Sequence, residues 1–344
     1  MPSIVCHAGS GPDDLWAYCP SFGAAILFTI LFGLTTCTHI VQAFIYRKPF
    51  AIVLIMGGLW ETGGYIARIY SIENQLNSGI YTAQLLLILL APLWINAYIY
   101  MLLGRMIHFF LENDRVFKIR ARMITRMFVA FDITAFLIQA VGGTMTGPDV
   151  SPSVQQTGLN IYTAGVGVQL FFLVIFVALA IGFQRKVHRQ SNNTYQAAPL
   201  DLEAQQTSYP LPSPNAPQSS FRIDSPVPLP DPNLATNLLR TLYTTLALVI
   251  LRNIYRLVEF GTGENSPTVK HEWFAYVFDA VPMFFALVIL NIFYPGKVLQ
   301  GPRSDFSEED KARKQAKKDK KAAKKAEKER KKAKGGNSYE LCSE

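Results

Sequence analysis

Seven long apolar runs constrain the fold more than any other feature of this sequence. They cover approximately residues 21–46, 50–70, 80–104, 123–147, 159–183, 238–260 and 272–294. An α-helix rises about 1.5 Å per residue, so roughly 20 apolar residues are enough to cross the hydrocarbon core of a bilayer. The runs therefore predict an all-α integral membrane protein, a bundle of seven transmembrane helices.

The distribution of Lys and Arg between the runs predicts the orientation of the bundle. Basic residues are frequent at 47–48, 105–122 and 185–189, whereas 71–79 and 148–158 contain none and 261–271 contains only Lys270. Cytoplasmic loops of membrane proteins carry an excess of Lys and Arg. This pattern predicts an N-terminus outside the cell and a C-terminus in the cytosol.

The composition divides the chain into segments of different character. Residues 1–20 are predicted to be an extracellular N-terminal segment, and residues 21–300 the transmembrane domain. Within that domain, the stretch 190–236 is rich in Pro, Ser, Gln and Asn, and it has too few apolar residues to form a core. We expect a disordered cytosolic loop there, available to cytosolic regulators or kinases.

Residues 301–344 form a Lys-rich tail that is predicted to be cytosolic. Between 311 and 334, fourteen Lys or Arg residues stand against three acidic ones, although the whole chain carries a net charge of only +8. A basic helix or coil at 311–334 fits the anionic inner leaflet of a membrane, the alternative being a solvated tail that only enforces topology. The remainder of the chain is net acidic, so the folded part is not predicted to bind nucleic acid.

One stretch of the second run, Gly57 to Arg68, places charge inside the membrane. On a helix, Glu61, Gly64, Tyr65 and Arg68 share one face, because they follow the spacing i, i+3, i+4, i+7. A carboxylate near the middle of a bilayer costs several kcal/mol unless it meets a partner or water. This face is therefore predicted to look into the bundle, with Gly57 and Gly58 allowing a neighbouring backbone to approach.

Other runs also carry polar residues at membrane depth: Gln84, Asp132, Gln139, Gln169, Arg252, Arg256, Glu259, Glu272, Tyr276 and Asp279. So many ionisable groups on separate helices predict a polar cavity that opens outward and binds a substrate, together with Glu61, Tyr65 and Arg68. The alternative is that these residues only satisfy one another as ion pairs and helix contacts. By depth, Glu61 is the expected partner of Arg252, and Glu259, Glu272 or Asp279 are the expected partners of Arg256 and Arg68.

Several classes of protein are not supported by the sequence. The five histidines are far apart, which argues against a seven-span zinc hydrolase. Run seven has no lysine, which a retinal protein needs in its last span. No phosphate-binding Gly-rich loop is present, so ATP is not predicted to drive this chain directly. We therefore predict no enzymatic activity, no cofactor and no metal site. Cys6 and Cys19 precede the first run, and they form a disulfide if that segment is extracellular, the alternative being two free thiols.

Taken together, these motifs resemble the fungal lipid-translocating exporters, the RTA-like family named for resistance to 7-aminocholesterol. The resemblance is carried by Gly57 to Arg68, 90–105, Phe131-Asp132, Gln139 with Gly142-Gly143, Gly165 with Gln169, 252–259, Glu272, Tyr276, Asp279 and Pro295-Gly296. It implies a plasma-membrane protein that exports sphingoid bases, sterol-like compounds or toxic drugs and so confers resistance. Membrane lipids and amphiphilic small molecules are then the expected partners.

The intramembrane carboxylates suit an amphiphile with an ammonium head, which Glu61, Glu259, Glu272 and Asp279 can meet. Protonation of Glu61 or Asp132 is a hypothesis for energy coupling. The alternative function is a seven-helix receptor or sensor of lipid or drug stress that signals through its cytosolic loops. The ligand, the direction of movement and the oligomeric state stay open at this stage.

Overall fold

A computed structural model of the chain describes residues 15–16, 18–111, 114–145, 151–206, 232–262, 266–300, 306 and 314–327, with the side chains of 191–206 and 232 excepted. Each of the seven predicted runs is helical over most of the residues that the structure describes. The helices are α1 (Phe22–Tyr46), α2 (Ala51–Glu73), α3 (Ser78–Phe110), α4 (Ala121–Thr144), α5 (Pro152–Gln206), α6 (Pro232–Gly261), α7 (Pro267–Lys270), α8 (Glu272–Ala275) and α9 (Val281–Ile292). A π-helical turn, Tyr276–Ala280, joins α8 to α9, and a short 3₁₀ turn, Pro295–Lys297, follows.

Six helical segments of the described chain are long and apolar enough to cross a membrane: Phe22–Tyr46, Ser78–Phe110, Ala121–Thr144, Pro152–Gln190, Asn233–Gly261 and Glu272–Lys297. The chain is therefore an all-α, multi-pass membrane protein. Helix α2 is not among the six, because Glu61, Arg68 and four glycines lower its mean hydropathy.

The long helices form a closed ring in chain order. Each helix from α1 to α6 packs against the next, and α9 packs against both α6 and α1. Helix α3 also contacts α6 and α5 across the ring. This order decides which polar side chains meet, because neighbours in the ring face one another whatever their separation in sequence.

Glycines on α2 let α1 and α3 approach closely, as the sequence predicts. A Cβ atom at Gly58 would lie 2.3 Å from Oγ1 of Thr36 on α1, and a Cβ atom at Gly64 would lie 2.6 Å from Cγ1 of Ile88 on α3. The face of α2 that carries Glu61 is buried, together with these glycines. Small residues at helix crossings are the usual device for close packing in membranes.

A small β-hairpin lies between α3 and α4, and the sequence analysis does not predict it. Its strands, β1 (Arg115–Val116) and β2 (Ile119–Arg120), are antiparallel. The two residues of the turn, Phe117 and Lys118, have φ of 47° and 67°, the left-handed geometry that a two-residue hairpin requires. The hairpin is fixed to α5, because Lys186 Nζ donates to the Arg115 carbonyl oxygen at 2.8 Å.

The stretch 190–236 is more helical than its composition suggests. Helix α5 continues to Gln206 and α6 begins at Pro232, while residues 207–231 lie outside the described part of the chain. The tail forms a second structural unit from residue 300 onward, and within it residues 314–327 are an exposed helix. Of the helix or coil predicted for the basic tail, the helix is the form observed over these residues.

Packing between α4 and α5 allows a paired test with two adjacent glycines. A Cβ atom at Gly142 would lie 2.5 Å from the Tyr162 amide nitrogen and 2.6 Å from the Gly158 carbonyl oxygen, whereas one at Gly143 would meet only a ring carbon of Tyr162 at 3.9 Å. We expect Gly142→Ala to destabilise the protein by about 1–3 kcal/mol, because backbone atoms must move. Gly143→Ala is the matched control, and it should be neutral or stabilising by about 0.5–1 kcal/mol. Thermal unfolding in detergent checks this, and equal effects of the two substitutions would contradict the close α4–α5 contact.

Candidate functional site

The predicted site residues are all within the described chain, and most of them are buried. Glu61, Tyr65, Arg68, Gln84, Asp132, Gln139, Gln169, Arg252 and Asp279 are each less than 9% exposed, while Arg256, Glu259, Glu272 and Tyr276 are partly exposed. The structure does not bring the whole set into one contact network. It distributes them over several groups, which differ in how completely their charges are paired.

The first group is an ion pair between α2 and α8. Arg68 Nη2 donates to Glu272 Oε1 at 2.7 Å and to the Tyr18 hydroxyl at 3.0 Å, and Arg68 Nε donates to the Tyr276 hydroxyl at 3.2 Å. The other oxygen of Glu272 accepts from the Ser21 amide at 2.7 Å. Of the three carboxylates expected as partners of Arg68, Glu272 is the one that pairs with it.

Tyr65 and Tyr276 lie in an aromatic stack rather than in an open cavity. The Tyr276 ring is 5.1 Å from Phe28 and 6.2 Å from Tyr65, and Tyr65 is 5.4 Å from Phe32. Beside this stack, the Arg68 guanidinium lies 4.9 Å from the ring of Trp16. Trp16 and Tyr18, which precede α1, therefore pack onto the Arg68 ion pair, a contact that no periodic pattern in the sequence indicates.

The second group joins α6 to the last span through Asp279. The Asp279 carboxylate contacts the guanidinium groups of both Arg252 and Arg256. Arg256 Nη1 also donates to Glu259 Oε2 at 2.9 Å, and the Tyr255 hydroxyl donates to Glu259 Oε1 at 2.8 Å. Of the three carboxylates expected as partners of Arg256, Glu259 and Asp279 both pair with it, and Glu272 pairs with Arg68.

Asp279 belongs to the π-helical turn, which the sequence analysis does not predict. The Val281 amide donates to the Tyr276 carbonyl oxygen, five residues back. Pro282 follows, and because proline has no N–H it cannot complete an α-helical bond to residue 278. Turns of this kind are frequent at functional sites in helices. Pro282 is the feature of the sequence that indicates an irregular helix here.

The predicted pairing of Glu61 with Arg252 is wrong. Arg252 contacts Asp279 instead, and Glu61 makes no hydrogen bond or ion pair with the residues that the structure describes, although the charges of Arg252 and Arg256 attract it without contact. The reason is the order of the ring: α2 packs mainly between α1 and α3, while the π turn and α9 pack directly against α6. Glu61 is only 2% exposed, so it is a buried carboxylate without a direct partner in the described chain.

A third group lines a narrow cleft between α3, α4, α5 and α6, which encloses room for about one water molecule. Its polar lining residues are Gln139, Tyr162, Gln169, Arg252, Asn253 and Arg256. Its apolar lining residues are Leu89, Leu93, Phe136 and Val166. Across α4 and α5, Gln139 Nε2 donates to Gln169 Oε1 at 3.0 Å. Tyr162 and Asn253 were not among the predicted site residues, although Tyr162 lies at a helical spacing of i, i+7 from Gln169.

Asp132 forms a separate buried group between α3 and α4. Its Oδ2 accepts from Asn96 Nδ2 and from the Tyr100 hydroxyl, both at 3.0 Å, and the residue is 1% exposed. The spacing of four residues between Asn96 and Tyr100 is the feature of the sequence that places both on one face. Gln84 is fully buried on α3 and makes no side-chain hydrogen bond within the described residues, so its predicted role stays a prediction.

The other predicted features of the site are only partly visible. Cys19 is engaged in a disulfide bond, but Cys6 lies outside the described residues, so their pairing stays a prediction. Within the described chain, no group of three or more His, Cys, Asp or Glu side chains is arranged to hold a metal ion.

The ion pairs of Asp279 predict that neutralising Asp279 destabilises the fold much more than neutralising the neighbouring carboxylate Glu259. Asp279→Asn leaves the buried guanidinium of Arg252 and the partly buried one of Arg256 without their shared anion, which should destabilise the fold by about 3–5 kcal/mol. Glu259→Gln is the matched control, because Arg256 keeps its contact with Asp279 and Glu259 is partly exposed. Folded yield and thermal unfolding in detergent check this, and a smaller effect at Asp279 than at Glu259 would contradict the assignment.

Comparison with known proteins gives consistent results over most of the chain. The family model described as RTA1 like protein matches residues 54–302. The probable lipid transporter atnI of Emericella nidulans is 38% identical over 308 residues, which are 88% of this chain and 73% of that protein. Protoporphyrin uptake protein 1 of Saccharomyces cerevisiae is 29% identical over 81% of this chain and 91% of its own length.

A sphingoid long-chain base transporter of the same yeast (strain Lalvin EC1118 / Prise de mousse) is 25% identical over 82% of this chain and 73% of its own length. No solved structure matches the chain.

Proposed function

The chain belongs to the RTA1-like protein family, and from this membership we propose that it translocates amphiphilic lipids with an ammonium headgroup, such as sphingoid bases, across the plasma membrane. Two relatives with similarity along most of the chain are named as a lipid transporter and a sphingoid long-chain base transporter. Export of such compounds confers resistance to them. The helices of the described chain supply the membrane-spanning scaffold that this activity requires.

The choice of an ammonium headgroup depends on the carboxylate of Glu61. Of the four carboxylates that suit such a group, Glu272 is paired with Arg68, and Asp279 and Glu259 are paired with arginines of α6. Glu61 alone among them has no hydrogen bond or ion pair within the described chain. A carboxylate buried in this way is costly, and a cation bound beside it offsets that cost.

The proposed topology has seven spans, with the N-terminus outside and the basic tail of 311–334 against the anionic inner leaflet. Helix α2 acts as the second span in this arrangement, since its charged face is directed into the ring and its other residues face α1, α3 and lipid. The Arg68–Glu272 ion pair then lies near the outer surface, where Trp16, Tyr18 and Ser21 contact it. The excess of Lys and Arg in alternate connections supports this orientation.

Flipping of a fluorescent long-chain amine by purified protein in liposomes tests the proposed function. We expect wild-type protein to flip the amine and Glu61→Gln to reduce the rate at least tenfold, because the amide lacks the charge that attracts the ammonium group. Glu73→Gln is the matched control, since Glu73 is exposed at the end of the same helix. The folded yield of Glu61→Gln should equal that of wild type, because no ion pair is broken.

Two results of this assay would contradict the proposal. Flipping by Glu61→Gln at the wild-type rate would show that Glu61 does not meet the substrate. Binding of the amine by wild-type protein without any flipping would favour the alternative function, a seven-helix receptor or sensor.

A further inference from the structure

We propose that the β-hairpin between α3 and α4 binds the phosphate group of an anionic phospholipid at the surface of the membrane. The hairpin lies at that surface, because the two helices that it joins are both long and apolar enough to span. In the proposed topology this surface belongs to the inner leaflet, and the inference rests on the proposed function only in that respect. The argument depends on two arginines, on one exposed ring and on the geometry of the turn.

Two arginines stand directly opposite each other on the two strands of the hairpin. Arg115 pairs with Arg120, and Val116 pairs with Ile119. Side chains of opposite residues share one face of a strand pair, and successive residues alternate between the faces. Val116 is buried and Ile119 is half-buried, whereas Arg115 and Arg120 are both exposed. One face of the hairpin is thus directed toward the protein, and the other presents two guanidinium groups together.

The hydrogen bonds of the hairpin bring these two side chains close to each other. The Ala121 amide donates to the Asp114 carbonyl oxygen at 3.0 Å, so residues 114 and 121 form a hydrogen-bonded pair. Such pairs alternate along an antiparallel ladder with non-hydrogen-bonded pairs, in which side chains are closer, and Arg115 with Arg120 is of this second kind. Like charges in this position are unfavourable. A phosphate group between them is favourable, because its oxygens accept from both guanidiniums.

No carboxylate of the described chain neutralises this face of the hairpin. Neither Arg115 nor Arg120 forms a side-chain hydrogen bond or an ion pair with a described residue. The carboxylate that precedes them, Asp114, lies with its Oδ1 3.0 Å from Nδ1 of His108. Lys186 adds a further positive charge beside the hairpin, since its Nζ donates to the Arg115 carbonyl oxygen. The exposed face therefore matches an anion.

The ring of Phe117 indicates that this anion belongs to a lipid. Phe117 is 67% exposed, and its ring lies against α5, where a Cβ atom at Gly182 would be 2.2 Å from Phe117 Cε2. Gly182 is near the end of the apolar run 159–183, shortly before Arg185, so the ring lies at the edge of the hydrocarbon. A free phosphate ion has no group to place there, whereas the first methylene groups of an acyl chain bury apolar area against the ring.

The turn of the hairpin carries residues that a purely structural turn does not favour. Phe117 and Lys118 both have positive φ, in a type of turn for which Asn-Gly is the preferred pair. Positive φ is strained for a bulky residue, and such strain is concentrated at functional sites. Lys118 is exposed and places a positive charge next to the ring. The turn thus presents an apolar ring and a cation together, the combination that an anionic lipid surface binds.

Binding of short-chain lipids by the full-length purified protein tests this site. The probes are dioctanoyl phosphatidic acid, dioctanoyl phosphatidylcholine and inorganic phosphate, and the readouts are calorimetry and native mass spectrometry in a neutral detergent. We expect phosphatidic acid to bind at least tenfold more tightly than either other probe. Arg115→Gln combined with Arg120→Gln should weaken it at least tenfold, because both guanidinium groups are lost. Arg185→Gln combined with Arg189→Gln is the matched control, which removes the same charge from exposed positions of α5.

A further variant tests the role of the ring while it keeps the turn. Asn tolerates positive φ, so Phe117→Asn removes the apolar contact without a new backbone conformation, and it should weaken phosphatidic acid about threefold or more. Equal binding of phosphatidic acid and phosphatidylcholine, or equal weakening by the two double variants, would overturn the site at the hairpin. Equally tight binding of inorganic phosphate, or wild-type affinity of Phe117→Asn, would overturn its assignment to a lipid.

The same preparations separate this inference from the proposed function. Binding of phosphatidic acid that depends on Arg115 and Arg120, without any flipping of the long-chain amine, would support the hairpin site and contradict the proposed transport. Amine flipping that depends on Glu61, without binding of phosphatidic acid, would contradict the hairpin site alone.

Discussion

The contacts of Asp279 with Arg252 and Arg256 are the interaction on which the rest of the bundle depends. Arginine keeps its charge at any accessible pH, so two arginines on one membrane helix require an anion at the same depth. Asp279 supplies it from the last span, and the π turn with Pro282 accompanies this contact. The pairing thereby joins α6 to the last span, which in turn packs against α1 and closes the ring.

This pairing also decides which charges are left for a ligand. Asp279 contacts both arginines, Glu259 takes a second hydrogen bond from Arg256, and Glu272 is held by Arg68 at the other end of α2. Glu61 is then the carboxylate that the described chain leaves without a direct partner, although it is buried as deeply as Asp279. The proposed recognition of a cation at Glu61 follows from how the other charges are distributed.

The sequence predicts the helices, the buried face of α2 and a short list of carboxylates for Arg68 and Arg256, because these depend on periodicity and on depth in the membrane. It fails for the expected Glu61–Arg252 pair, because depth gives the height of a residue along its helix but not the order of helices in the ring. The π turn, the hairpin at 115–120 and the contact of Trp16 with Arg68 were also missed. They depend on local backbone geometry or on a segment without hydrophobic periodicity.

The observed pairing leaves more unsatisfied polar groups than the predicted one would have done. A Glu61–Arg252 pair would have satisfied the carboxylate and more of the guanidinium donors, leaving little for a ligand to bind. In the observed arrangement, a carboxylate on α2 and donors of Arg252 and Arg256 on α6 both lack protein partners within the described chain. Proteins retain such local costs where function requires them, and the stability of the surrounding packing compensates for them.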